Sequence, residues 1–215
     1  MFADRIDAGR QLAAAVSAYR HQPVLVLALP RGGVPVGLEV AKVLDAPLDV
    51  VLVRKIRAPA HPELALGAIV DGTPPQLLLD DQIAAATGAT PEYIAAEKAH
   101  QLQEIERRRQ IYRNGRPAAE THGRTVILVD DGIATGATMR VALRALAQSG
   151  AARVIVAVPT APADVLDRIR PEADEVICPQ TPEPFQAVGL HYRDFDQTTD
   201  QEVVQALAEA NRGRD

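Results

Sequence analysis

Tryptophan is absent, and four tyrosines and three phenylalanines leave the 215-residue chain with only 3% aromatic residues. Its core must be filled by Leu, Val, Ile and Ala, which a hydrophobic content of 47% supplies. The single cysteine, Cys178, excludes an internal disulfide and fits a reducing compartment; a small, buried, apolar role is expected of it. No apolar run approaches the ~18 residues of a membrane span. The N-terminus carries Asp4 and Arg5 and no apolar signal core, so a cytoplasmic protein is expected. Positive charge is scarce: 23 Lys and Arg stand against 28 Asp and Glu, a formal net charge of −5. That balance speaks against general binding to nucleic acid or to an anionic membrane. A phosphorylated ligand would need a local basic patch instead. There is neither an internal repeat nor a low-complexity tract.

What is present is a succession of short apolar runs separated by helical patterns. Residues 2 to 19 place Phe2, Ile6, Gly9, Leu12, Ala13 and Val16 on one helical face. Continuous apolar strands are expected at 23–29 and 48–53, with a helix over 34–44 between them. Runs of this kind indicate a parallel sheet covered on both faces. Residues 54–64 read as a basic, Pro-rich loop, followed by short strands at 65–70 and 76–79. From Asp80 to Arg113 the pattern is helical, with Thr90-Pro91-Glu92 as a helix start and Ile94, Leu102, Ile105 and Tyr112 in one stripe. A linker at 114–124, a strand at 126–129 and a helix over 139–148 follow. A strand at 153–158, a helix over 160–169 and a last core strand at 174–177 come next. Thr199 and Glu202 have the spacing of a capping box for a final helix ending at Ala210.

Residues 126–138 read Val-Ile-Leu-Val-Asp-Asp-Gly-Ile-Ala-Thr-Gly-Ala-Thr. A buried strand ends at two adjacent carboxylates, and a loop of small residues leads into a helix. The carboxyl end of a strand in an open α/β sheet is where ligands bind. Amides of such a loop, with the positive end of the helix, suit a phosphate. Asp130 and Asp131 would repel a phosphate but can accept hydrogen bonds from a neutral diol. Together these features describe a cradle for ribose 5-phosphate; an ordinary strand followed by a helix N-cap is the plainer alternative. No Lys follows the glycine, so this is not a Walker-type loop, and the Asp-x-Asp of aspartyl-phosphate enzymes is missing. Pro30-Arg31-Gly32-Gly33 also lies between a strand and a helix. Its glycines allow close approach to a bulky anion and Arg31 offers a fork of donors; a simple turn is the alternative. Arg54, Lys55 and Arg57 form a third cluster, either surface charge or an anion clamp.

The string from Val126 to Thr138 resembles the phosphoribosyl pyrophosphate (PRPP) loop of type I phosphoribosyltransferases. Arg31-Gly32-Gly33-Val34-Pro35-Val36-Gly37 resembles the pyrophosphate loop of the purine enzymes of that family. The motifs cover about residues 22–160. The resemblance implies an α/β type I phosphoribosyltransferase fold, a parallel sheet with helices on both faces and a small C-terminal hood. One domain over 1–215 is expected, with a core at about 22–178, a helical insertion at about 80–116, and the hood and last helix at about 179–215.

The resemblance also implies site roles. Ala134, Thr135, Gly136, Ala137 and Thr138 would hold the 5′-phosphate, while Asp130 and Asp131 contact the ribose hydroxyls. Pro30, Arg31, Gly32, Gly33, Arg54 and Lys55 would hold pyrophosphate, with a cis peptide at Pro30–Arg31. A mobile loop of roughly residues 58–67 carries His61, exposed and incidental, and Glu63, a candidate acid–base group. Asp130, Asp131, Arg31, Lys55 and Glu63 make up the catalytic set. Ile133, Phe185, Tyr192 and Phe195 are candidates to hold the base, although the aromatic three equally suit an anchor for an irregular tail. The implied reaction moves ribose 5-phosphate from PRPP to a nitrogenous base, with Mg²⁺ held through PRPP and through water to Asp130 and Asp131. No direct protein ligand to the metal is expected. The partners would be PRPP and a small acceptor, without nucleic acid or membrane; a homodimer is compatible. Ala134 stands where 6-oxopurine enzymes have an acid, which puts hypoxanthine and guanine in doubt. A non-catalytic PRPP- or nucleotide-binding regulator, and an enzyme acting on another phosphosugar, remain open.

Overall fold

The apolar runs at the ends of the chain assemble into one parallel sheet. The computed structural model describes residues 1–72 and 74–214, and these separate into two compact units: Met1–Val51 with Ala118–Asp215, and Leu52–Pro117. The expected helical insertion at about 80–116 falls within the smaller unit, which begins at Leu52. No helix among the described residues is long and apolar enough to cross a membrane.

The larger unit contains α1 (Arg5–Ala15), β1 (Val24–Ala28), α2 (Gly33–Leu44), β2 (Leu48–Val50) and β6 (Thr125–Val129). After these come α5 (Ala137–Ala147), β7 (Arg153–Ala157), α6 (Ala163–Ile169), β8 (Glu175–Ile177) and α7 (Asp200–Ala210). Its strands are ordered β2-β1-β6-β7-β8, and every pairing is parallel. Every residue of β1 is buried, as are Val126 to Val129. This explains why both strands read as unbroken apolar runs rather than as alternation. Each such Val, Leu or Ile contributes about 1.5–3 kcal/mol by leaving water.

The strand order reverses direction between β1 and β6. That makes the space beyond their carboxyl ends a topological switch point. The two strands pair from Val24 opposite Thr125 to Ala28 opposite Val129, and the Leu29 amide donates to the Val129 carbonyl at 2.9 Å. The loops after β1 and β6 therefore emerge side by side. Gly33 permits their contact: a Cβ there would lie 2.9 Å from both the Asp130 Cα and the Val129 carbonyl oxygen.

The smaller unit holds β3 (Val53–Ala58), β4 (His61–Val70) and β5 (Gln76–Leu79) in an antiparallel sheet, with α3 (Asp81–Ala86) and α4 (Pro91–Arg113). Here the sequence misled. Instead of a loop over 58–67, β3 and β4 form a hairpin, with bulges between Ile56 and Arg57 and between Arg57 and Ala58. The charges hid a period-2 pattern: Ile56 and Ala58 are buried while Lys55 and Arg57 are exposed.

Helix boundaries follow local chemistry. The Thr90 side chain caps α4 with Pro91 in its first turn, and Thr199 with Glu202 forms the capping box of α7. The helix expected from Thr160 starts only at Ala163, after Pro162 at the N-cap. Ile6, placed on the buried face of α1, is 45% exposed. Phe2 is buried, but it precedes that helix and bridges to Tyr192.

The close approach at Gly33 gives a direct test. Gly33→Ala should destabilise the fold by about 1–3 kcal/mol, because the methyl meets backbone that cannot swing aside. The check is a thermal or urea unfolding midpoint. An unchanged midpoint would contradict the packing of the two loops.

Candidate active site

The centre of the site is the loop from Asp130 to Gly136, between β6 and α5. Gly136 takes a left-handed conformation (φ 78°) at the N-cap of α5, and no side chain caps that end. Only glycine adopts this backbone without penalty. Among the described residues, the amides of Ala134, Thr135 and Gly136 donate to no protein acceptor. Those of Ala137 and Thr138 open the helix, where no intrahelical acceptor exists. Ala134, Thr135 and Ala137 are exposed and Thr138 is half-buried. The structure thus brings together, at one helix end, the five residues expected to hold a phosphate.

The paired acids lie directly before this loop. The Asp130 carboxylate accepts from the Asp131 amide at 2.9 Å. Burial, and then the neighbouring Asp131 charge, raises its pKa well above the ordinary carboxylate value. The Asp131 pKa is also raised by burial, against which Arg5 acts. Arg5 Nε donates to Asp131 Oδ2 at 2.8 Å. Nothing in the sequence marked Arg5, because 126 residues separate it from its partner.

Beside these acids runs the 30–33 loop. The Pro30–Arg31 peptide is cis, as the resemblance implied. A Cβ on Gly32 would fall 2.0 Å from Asp131 Oδ2, so this glycine lets the loop lie against the carboxylate. The Arg31 guanidinium stands 3.6 Å from Asp200 and is about a third exposed.

The other expected site residues are distributed differently. Arg54 does not share a strand face with Lys55: its Nε donates to Gln101 on α4 at 2.9 Å, and burial, then Arg108, lowers its pKa. Lys55 and Glu63 are exposed on β3 and β4 of the smaller unit, as is His61. Ile133 is 3% exposed, and its amide donates to the Thr160 carbonyl at 3.0 Å. It lies beneath the loop, since the Cβ position of Gly136 is 3.7 Å from it, and so offers no open surface to a base.

The aromatics act first as anchors. Tyr192 is buried with Phe2, 5.2 Å between rings, and Phe195, 4.9 Å. Its hydroxyl donates to the Asp131 carbonyl at 2.5 Å, and burial followed by the Asp131 charge pushes its pKa up. The Phe195 ring is covered by the Arg5 guanidinium at 3.9 Å. Phe185 is half-buried and stacks on His191 at 4.6 Å. Scarcity of aromatics drew attention to this segment, but fixing residues 188–196 to the loop uses most of their surface. Cys178 is half-buried, and burial pushes its thiol up to about 11, consistent with an inert side chain.

Asp130 generates a prediction with a definite sign. Its folded pKa is raised, so its stability contribution is complete below the unfolded value near 3.8 and is lost as pH rises. Asp130→Asn retains an acceptor for the Asp131 amide without the charge. It should raise the unfolding midpoint at pH 7, with the gain vanishing towards pH 3. Thermal unfolding at the two pH values checks this; equal or lower stability of the variant at pH 7 would contradict it.

Comparison with known proteins agrees with this geometry. The family model described as phosphoribosyl transferase domain matches residues 3–194. A crystal structure of TT1426 from Thermus thermophilus is 44% identical, with a TM-score of 0.83, covering 97% of this chain and 98% of that one. A Mycobacterium tuberculosis protein with a provisional phosphoribosyl transferase name is 47% identical over 212 residues. That match covers 99% of this chain but 47% of the relative, so the chain spans about half its length. A Neisseria gonorrhoeae protein crystallised with ppGpp shares the fold at a TM-score of 0.51 and 14% identity, covering 99% of this chain and 96% of that one. With its parallel five-stranded sheet, its uncapped loop before α5 and the family match over most of its length, the chain belongs to the phosphoribosyl transferase domain family and has the type I fold.

Proposed function

We propose that the protein transfers ribose 5-phosphate from PRPP to a nitrogenous base and releases pyrophosphate. The observation that carries this reading is the set of unpartnered amides at Ala134–Gly136 beside the acid pair. Those amides, with the N-terminal end of α5, offer the 5′-phosphate several donors and a favourable dipole. Asp130 and Asp131 then accept hydrogen bonds from the ribose hydroxyls. Charge-assisted hydrogen bonds of this kind are stronger than neutral ones. Arg31, about a third exposed, and Lys55 are the cations assigned to the departing pyrophosphate.

Bond breaking at the anomeric carbon leaves an oxocarbenium-like sugar, as in glycoside hydrolysis. The protein's contribution is to align the sugar and acceptor and to stabilise the leaving group. Mg²⁺ fits this donor set. Asp130 and Asp131 would hold the ion through water, and PRPP oxygens would supply most of the remaining coordination. Bound there, the ion would neutralise pyrophosphate charge. The acceptor is proposed only as a class, a nitrogenous base. The amide set also suits a PRPP-binding regulator, and turnover separates the two.

The test is pyrophosphate release from PRPP and Mg²⁺ across a panel of purine and pyrimidine acceptors. Acceptor-dependent release is expected; PRPP binding without release under any acceptor would favour the regulator. Asp131→Asn should weaken PRPP binding by about 1.5–3 kcal/mol, read by calorimetry, and unaltered affinity would contradict its ribose role. Lys55→Ala should slow turnover while leaving the unfolding midpoint in place. A parental rate would remove Lys55 from the leaving-group site.

A further inference from the structure

The N-terminal segment is bound into the same region of the fold. The Phe2 amide donates to the His191 carbonyl at 2.8 Å, the Arg193 amide to the Phe2 carbonyl at 2.9 Å, and the Asp194 amide to the Ala3 carbonyl at 3.0 Å. Phe2 itself is fully buried against Tyr192. Arg5, the first residue of α1, extends from this fixed base. Its Nε donates to Asp131 Oδ2 at 2.8 Å and its Nη1 to the Asp196 carbonyl at 2.6 Å. Its guanidinium lies 3.9 Å over the Phe195 ring. The Arg5 and Asp131 side chains are only 13% and 14% exposed.

Three contacts of different kinds hold one guanidinium, and each uses a different part of it. A surface ion pair between flexible chains contributes little. This pair differs because the stack and the backbone acceptor have already removed the rotamer freedom of Arg5. Gly32 lies against the same oxygen, and a Cβ there would fall 2.0 Å from Asp131 Oδ2. Oδ2 thus has both Arg5 and the Gly32 backbone as close neighbours. Among the described residues no second side chain donates to this carboxylate.

We propose that Arg5 is a positioning residue for the ribose. It anchors Asp131 through Oδ2, turns Oδ1 to a sugar hydroxyl, and ties that carboxylate to the segment at 195–196. The inference rests on the ribose-phosphate reading of the loop. It adds a residue that touches neither phosphate nor sugar and acts through Asp131.

The experiment is calorimetric titration of the full chain with two probes, orthophosphate and ribose 5-phosphate. Orthophosphate reports the anion-binding groups without a sugar, and ribose 5-phosphate adds the diol. Arg5→Gln should weaken ribose 5-phosphate binding about tenfold or more while orthophosphate binding stays at the parental value. Arg5→Lys should fall between, since an ammonium keeps the charge but cannot span Asp131, Asp196 and the Phe195 ring together. Should Arg5→Gln fold poorly, Phe195→Leu removes the stack alone, and a smaller loss confined to ribose 5-phosphate is expected. Parental affinity of Arg5→Gln for ribose 5-phosphate would overturn the inference. So would tighter binding, which would make Arg5 a competitor for the diol, or an equal loss for both probes, which would make its role purely structural. If the parental chain binds ribose 5-phosphate but the variant is indistinguishable, only the Arg5 inference fails. If the parental chain binds neither probe, the functional reading falls with it.

Discussion

The in-register pairing of β1 with β6 is the constraint on which the rest depends. Because Ala28 lies opposite Val129, the chain leaves both strands at the same level. The cis peptide at Pro30–Arg31 and the acid pair at 130–131 therefore come side by side. The hydrogen bond from Leu29 to Val129 continues the ladder for one more step, and Gly32 and Gly33 then let one loop lie on the other. A side chain at either glycine would displace the acids or the turn. A slip of a single residue would turn every side chain to the opposite face, and the two loops would no longer meet.

Electrostatics complete the site. The chain is acidic overall, with a net charge of −5, so its field does not gather anions. Local features stand out instead: unpartnered amides and an uncapped helix end at the loop before α5, and Arg31 as a partly exposed cation on the neighbouring loop. Against them stand two adjacent carboxylates whose burial disfavours ionisation. A fold selected for stability alone has no use for such a pair. Arg5 offsets part of the cost at Asp131. Perturbed titratable groups gathered beside unpartnered amides are a pattern found more often at functional sites than in structural cores.

Much of this was legible in the sequence. Strands β1 and β6 are uniformly apolar because both faces are covered, and the change to Asp-Asp-Gly marks where burial ends. The cap of α4 at Thr90 and the capping box of α7 at Thr199 are local chemistry, readable without tertiary structure. The place of the 30–33 and 130–138 segments, as adjacent loops between strand and helix, was legible because apolar runs end there at Gly-rich or acidic residues. Long-range facts were not. The pairing of Arg5 with Asp131, the burial of Ile133 beneath its own loop, and the attachment of Arg54 to Gln101 all depend on partners distant in sequence or on packing. The hairpin of β3 and β4 was missed because charged residues on its exposed face imitate a loop, while Ile56 and Ala58 carry the buried alternation. Tyr192 and Phe195 were recognised as notable, but their rings pack on Phe2 and Arg5.

The central claim is that the amides of residues 134–138 grip a phosphate attached to a pentose. Backbone amide shifts in ¹⁵N-labelled protein, followed as ribose 5-phosphate is added, test it most directly. The account predicts saturable shifts concentrated at Thr135, Gly136, Ala137 and Thr138 and at Asp130 and Asp131. Saturable shifts centred elsewhere in the chain, or no shifts in these residues at saturating ligand, would contradict it.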